Sequence, residues 1–456
     1  MEYERWITMV SMTSRQLVVC AFVLASLSPA LTAQTASQTA YDPLRAFAPL
    51  TLPDPVNSYR SANGAPGPMY WQNRVDYEIH ASIDTATKTL RASETITYTN
   101  NSPDALASLW IQLDQNTYRA DARSNAAIDV SSRRRRGAGS PLANHTEGYV
   151  LESVEVAGDA KHAAAVKATT VVSDTRLQVQ LPHALAHGER VRVLITYHYT
   201  VPGLFGGRTS WGKAQQGEIY DIAQWFPRMA VYDDLRGWDT LPYLANEFYC
   251  EYGHFDYFIT VPANFLVAGS GELVNASEVL SKTELARLAQ ARASDATIMI
   301  RTADEAAKNA AMPLPTQTKT WHFAMDNTRD VAFSASPTFL WDAARMNIAG
   351  GKPALAQSVY PIESAGDVAW GRSTEYLKDA VEEFSRRWYP YPYPNAINVA
   401  GPSSGMEYPA ILFDGIPDKG KDLFWVTAHE IGHTWFPMIV GFNERRHAWM
   451  DEGFNT

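Results

Sequence analysis

The sequence predicts a multidomain chain: a large N-terminal all-β region followed by an α+β region that carries the chemistry. Three observations predict it. Short stretches that alternate apolar and polar residues recur between residues 75 and 323, the period of half-buried strands. Beyond about residue 350 the apolar residues change to 3–4 spacing, the period of amphipathic helices. The helical part contains His429-Glu430-Ile431-Gly432-His433, followed after 18 intervening residues by Glu452. A chain of 456 residues has room for roughly three domains. Its 46% apolar and 19% charged content suits a sizeable core. A net charge of −10 argues against a nucleic-acid partner.

The N-terminus has the layout of an export signal. Arg15 precedes an apolar run over 17–27, and the small residues Ser28, Ala30, Thr32 and Ala33 follow, which places cleavage near Ala33. The run is too short to span a bilayer, so no transmembrane segment is expected in the mature chain. Cys20 lies inside the run and not at its end, which disfavours lipidation. Removal of residues 1–33 leaves Cys250 as the sole cysteine and rules out an intramolecular disulfide. Both features suit a bacterial protein that is periplasmic or secreted.

Residues 34–70 are rich in Ala, Thr, Pro, Ser and Gly without a sustained period, and read as a linker. Residues 71–350 read as the β domain. Val75, Tyr77, Ile79, Ala81 and Ile83 alternate with polar residues. After a turn around 84–88, Leu90, Ala92, Ile96 and Tyr98 continue the pattern as an antiparallel pair. Further strands are expected at 109–113, around Leu177 to Leu181, around Val191 to Tyr199, at 255–261 and at 320–323. Arg133 to Arg136 reads as a solvated loop tip. Residues 276–310, rich in Ala, Glu, Lys and Leu, read as a helical insertion.

The last part, 351–456, should begin with an amphipathic helix over 364–388, ended by the prolines at 390, 392 and 394. A short strand is expected at 397–399. A helix over 423–436, stopped by Pro437, then carries the two histidines.

Histidines four apart project from one helix face about a turn apart and can share a metal ion. Glu452 adds a carboxylate from a later segment. Two His and one Glu leave the fourth position of tetrahedral zinc open to water, the arrangement of a catalytic site and not a structural one. One Zn2+ is therefore the expected cofactor. Glu430 neighbours the first ligand, where its carboxylate can reach a bound water as a general base.

With Glu452 included, this pattern resembles the M1 family of zinc metallopeptidases, the gluzincin group that contains aminopeptidase N. Thr434-Trp435-Phe436 and Trp449-Met450-Asp451-Glu452-Gly453-Phe454 look like the segments that flank the family's site. The family's Gly-x-Met-Glu-Asn motif is matched by Ser404-Gly405-Met406-Glu407-Tyr408, which keeps Gly405, Met406 and Glu407 and departs at Ser404 and Tyr408. The resemblance implies that Glu407 anchors the free amino terminus of a peptide substrate. It also implies that Gln224, in Gln224-Trp225-Phe226-Pro227-Arg228, contributes to the same pocket. The implied fold is a saddle-like N-terminal β domain followed by a thermolysin-like catalytic domain. The implied activity is aminopeptidase hydrolysis.

The family also has a downstream tyrosine that binds the oxyanion, and further helices. Four residues follow Glu452 here, so the expectation is a chain truncated just after its third ligand, holding the first half of the catalytic domain. The alternative reading is a catalytically inactive module that binds zinc or peptide.

Overall fold

The structure is a computed structural model that describes residues 58–61, 65–127, 145–160, 163–203, 207–244 and 246–456. The expected export signal, Cys20 and the Arg133 to Arg136 tract lie outside the described residues. Two compact units are present, Met1–Tyr70 and Trp71–Thr456.

The alternating segments become an eight-stranded sheet. Its order is Glu272–Leu273, Thr318–Thr328, Gly253–Pro262, Arg74–Asp84, Thr89–Thr99, Arg190–Thr200, Val150–Gly158 and Val166–Lys167. Arg74–Asp84 pairs in parallel with Gly253–Pro262 and antiparallel with Thr89–Thr99. The inward row of Arg74–Asp84 is Val75, Tyr77, Ile79, Ala81 and Ile83, all buried. On Thr89–Thr99 the inward row includes a carboxylate, Glu94, between Ala92 and Ile96. Burial pushes that carboxyl well above the usual range. Two four-stranded sheets accompany this one. The first runs Leu266–Gly269, Phe333–Ser336, Gly217–Ile222, Ser210–Ala214. The second runs Arg228–Met229, Leu106–Gln112, Arg176–Leu185, Thr169–Ser173.

The site-bearing sheet has six strands, in the order Ile298–Arg301, Leu340–Met346, Ala354–Tyr360, Asn395–Gly401, Ile411–Gly415, Met406–Tyr408. The boundary expected at residue 350 runs through it, because Leu340–Met346 pairs antiparallel with Ala354–Tyr360 in unbroken register. Alternation reveals which face of a strand is buried, but not which neighbour completes its hydrogen bonds. The expected insertion over 276–310 forms helices Ala276–Val279, Lys282–Ala291 and Ala303–Ala311. The latter two are started by capping boxes, Ser281 with Glu284 and Thr302 with Glu305. Between them, Ile298–Arg301 joins the six-stranded sheet as an edge strand.

Two helices pack on this sheet, Ser373–Arg387 and Gly420–Gly432. The first begins nine residues later than the spacing predicts, because Gly366 takes a φ of +127° and breaks the helical path. Among the described residues, no helix is long and apolar enough to cross a membrane.

A buried arginine ties the β region to the C-terminal helix Glu444–Asn455. Arg329 donates to Glu444, to Pro437 O at 2.8 Å and to Phe248 O at 3.3 Å. Both charged side chains are at most 1% exposed. A second buried arginine, Arg228, bridges Asp114 at 3.0 Å and Asp330 at 2.7 Å within the β region.

Two outcomes are expected. Arg329→Met leaves Glu444 buried without its counter-charge, so urea denaturation should show a loss of about 3–5 kcal/mol, the scale for breaking a buried pair. The second concerns Asp342, which accepts from Tyr360 at 2.6 Å and Thr374 at 2.5 Å. Burial pushes its carboxyl up to about 7, against the pull of those two hydrogen bonds. Between about pH 4 and this value the folded chain keeps a proton that the unfolded chain, with an aspartate pKa of about 3.9, releases. Wild type should therefore lose stability relative to Asp342→Asn as pH rises through that window, and the difference should level off above it. Thermal melts of both proteins across pH 4–8 check this; a constant difference would refute it.

Candidate metal centre

The helix Gly420–Gly432 is set on the sheet by its buried residues Leu423, Thr427 and Ile431. Asn398, on the central strand Asn395–Gly401, donates to Thr427 Oγ1 and Asp414 Oδ2, both at 2.9 Å. This helps to fix the helix rotation, with Glu430 and His433 beside Glu407 of the edge strand Met406–Tyr408. Phe424 and Trp425 lie on the solvent side, 46% and 61% exposed.

The helical geometry ends earlier than the sequence suggests. His433 caps the helix, and Thr434–Ile439 forms a wide turn with Phe436 extended at φ −134°, ψ 106°. Pro437 is the reason, since a residue that precedes proline is pushed out of the helical region. His433 keeps φ −57° and stays one turn from His429.

The chain then turns into Glu444–Asn455, a helix kinked at His447. Its last turn docks on the metal helix through Asn455. Asn455 Nδ2 donates to His429 O, and Asn455 O lies 3.1 Å from His429 Nδ1. Gly432 permits this approach: a Cβ there would sit 1.9 Å from Asn455 Oδ1.

The docking brings Glu452 to the histidines. Its Oε2 is 3.1 Å from His429 Nε2 and 3.9 Å from His433 Nε2. Ligand atoms of the three residues all lie within 4.8 Å of one another. Tetrahedral zinc with bonds near 2.0–2.1 Å places its ligands roughly 3.3 Å apart. Both Nδ1 atoms are occupied elsewhere, His429 by Asn455 O and His433 by Phe436 O at 3.1 Å and Asp451 Oδ1 at 2.7 Å. Each ring therefore presents Nε2 to a common point, with its tautomer held by a partner behind it. Donor type, spacing and support all fit zinc.

Asp451 joins the cluster without having been singled out by the sequence. It is fully buried against His433. The only local signal is its place beside Glu452.

A second group shares His433. Glu407, Glu430 and His433 also have ligand atoms within 4.8 Å of one another, and all three are buried. Glu407 lies on Met406–Tyr408, the edge strand that pairs with Ile411–Gly415. Gly405 is at φ +66°, and a Cβ there would sit 3.6 Å from Glu430 Oε1, so this loop lies against the Glu430 carboxylate. Met406 is half-buried and pairs with Phe413.

The loop is held by Asp221, from the strand Gly217–Ile222. Asp221 accepts from Ser403 N at 3.0 Å and Ser334 Oγ at 2.8 Å. A Cβ on Gly401 would collide with it at 2.0 Å.

Electrostatics follow from this crowding. Burial, with the neighbouring charges of Glu407 and Asp414, raises Glu430 far above the usual carboxylate range. Burial raises Glu407 also, opposed by His433. For His433 burial favours the neutral ring, but Glu407 and Asp451 outweigh it and the pKa rises to about 10. Four carboxylates converge on two imidazoles, an arrangement that calls for a cation.

Gln224 lies two residues beyond the strand Gly217–Ile222. It sits at φ +48°, buried, with its carbonyl accepting from Gln115 Nε2 at 2.9 Å, while its Nε2 has no hydrogen-bond partner. No hydrogen bond joins its side chain to Glu407.

No family model matches the sequence, and no curated protein shows significant similarity to it. Solved structures do. The fold is similar to the M1 zinc metallopeptidase from Deinococcus radiodurans, with a TM-score of 0.50 and 15% identity over 84% of this chain and 68% of that one. A mutant of the same enzyme gives the same score and identity over 84% and 69%. A mutant two-domain M1 zinc metallopeptidase bound to L-tryptophan matches with a TM-score of 0.50 and 15% identity over 86% and 71%. At this identity the likeness is one of fold.

Metal titration tests the centre. One zinc per chain is expected, and His433→Ala should abolish it. Asp451→Asn should keep the ligands and weaken affinity about 10–100-fold, the usual effect of removing a carboxylate behind a ligating histidine. Equal zinc content in wild type and His433→Ala would remove the assignment.

Proposed function

We propose that this chain is a zinc-dependent metallopeptidase of M1 type that releases residues from the amino ends of peptides. The observation that carries this reading is the sharing of His433 between a His–His–Glu ligand set and two buried carboxylates, Glu430 and Glu407. A zinc site alone would need neither.

Zinc held by His429, His433 and Glu452 would supply Lewis acidity and a water that ionises near pH 7. The other roles belong to the chain. Glu430 is buried beside the metal-ligand histidines, where it can take a proton from the attacking water, hold it on its carboxylate and return it to the leaving nitrogen.

Glu407 supplies a fixed negative charge one side chain away from the reacting centre. It would pair with an ammonium group and so place the first peptide bond, and no other, at the metal. The positive φ of Gly405 and the grip of Asp221 on Ser403 set its loop. Support for an amino-terminal ligand also comes from structural neighbours of this fold that hold L-arginine and L-tryptophan. The apolar run over 17–27 and the small residues up to Ala33 support export to the periplasm or beyond.

Two variants of the full-length protein separate the roles. Glu430→Gln should abolish hydrolysis of every peptide and leave zinc content unchanged. Glu407→Ala should lower kcat/KM on peptides with a free amino end by the equivalent of about 2–5 kcal/mol, the scale for truncating one side of a buried charge pair. It should scarcely change hydrolysis of any N-acetylated peptide that is cut. Steady-state kinetics on matched free and acetylated peptides measure both effects. Wild-type cleavage of acetylated and free peptides at equal rates, unaffected by Glu407→Ala, would assign an endopeptidase instead. Zinc binding with no hydrolysis by the full-length protein would assign a binding module.

A further inference from the structure

We propose that Trp425 is a further positioning residue: its indole face holds the ring of His429 and favours the metal-bound form of that ring. The inference rests on the zinc centre assigned above and adds to it a side chain outside the ligand motif.

The two histidines are not supported alike. Behind His433 stands Asp451, a fully buried carboxylate whose Oδ1 lies 2.7 Å from Nδ1. Among the described residues, the group at the Nδ1 of His429 is a neutral carbonyl, Asn455 O at 3.1 Å. The His429 side chain is also the more open of the two, 12% exposed against 1% for His433.

What His429 has in addition is an aromatic face. Trp425 lies four residues earlier on the helix Gly420–Gly432, so the two side chains share one side of the helix a turn apart. Their rings are stacked, with centres 5.1 Å apart and planes 7° from parallel. His433 meets the same imidazole nearly at right angles, at 4.9 Å and 82°. Asn455 O sets the direction of Nδ1 within the ring plane, and Trp425 sets the plane itself. Together they aim Nε2.

The chemistry of the contact adds a second effect. An aromatic face is the negative side of a quadrupole, and among aromatic side chains the indole of Trp attracts cations best. An imidazole that gives its Nε2 lone pair to a divalent cation takes a share of the ion's positive charge. The neutral, metal-free ring has no such charge. Trp425 therefore interacts more strongly with the loaded ring than with the free one, and the difference is read as metal affinity. Trp425 is 61% exposed, so its truncation leaves no cavity in the core. An effect on the metal can thus be separated from an effect on folding.

Zinc titration of the whole chain against a competing chromophoric chelator tests the proposal. Trp425→Ala should still bind one zinc, with an affinity about 3–10-fold below wild type, the range of one aromatic contact with a partly charged ring. Trp425→Phe should recover part of the loss, since it keeps an aromatic face of weaker pull. Trp425→Leu, with bulk but no such face, should recover none. The metal-free melting temperature should be the same in all four proteins.

Four outcomes would overturn it. Equal zinc affinity in wild type and Trp425→Ala would remove the role of Trp425 and leave the zinc centre standing. No zinc binding by wild type would remove both. Recovery by Trp425→Leu equal to that by Trp425→Phe would show that bulk suffices. A lower metal-free melting temperature for Trp425→Ala would show a structural role in its place.

Discussion

The buried pair of Arg329 and Glu444 is the contact on which the metal centre depends. Glu452 can reach the histidines only if the helix Glu444–Asn455 lies against the metal helix. Arg329 fixes the start of that helix from the β region, and it also holds Pro437 O in the turn between the two helices. Asn455 closes the far end on His429, through the space that Gly432 leaves open. A buried ion pair adds little net stability over an apolar substitute, but either partner left alone is costly. The pair therefore serves register more than stability: the helix has one place where both charges are satisfied.

Around this frame the charge distribution is lopsided. Glu407, Glu430, Asp451 and Glu452 converge on His429 and His433, with Glu247 and Arg208 at the border. Carboxylates withdrawn from water repel each other and resist ionisation, as the raised values of Glu407 and Glu430 reflect. Such a cluster is stable only when cations share it. On the function proposed above, a metal ion and a substrate ammonium would meet that need.

The β region contributes more than a platform. Asp221, from one of its strands, grips the loop that presents Glu407, and Gly401 gives it room. Arg208 and Glu247 also come from this region. The site is thus assembled from distant stretches of chain held together by polar contacts in a dry environment, where each hydrogen bond is strongly directional.

The sequence by itself determined what is local. The i, i+4 histidines, the adjoining Glu430 and the inward rows of the long strands follow from helix and strand periods, which put both histidines on one helix face. Glu452 was legible from ligand chemistry and spacing. Tertiary structure alone decided what depends on partners far along the chain. It ran one sheet through residue 350 and ended the histidine-bearing helix at Gly432. It also put Asp451 behind His433 and drew Glu247 to the site. A buried carboxylate in a loop carries no period and no motif. Its role is set by what folding brings within a few ångströms, and only the packed chain defines that.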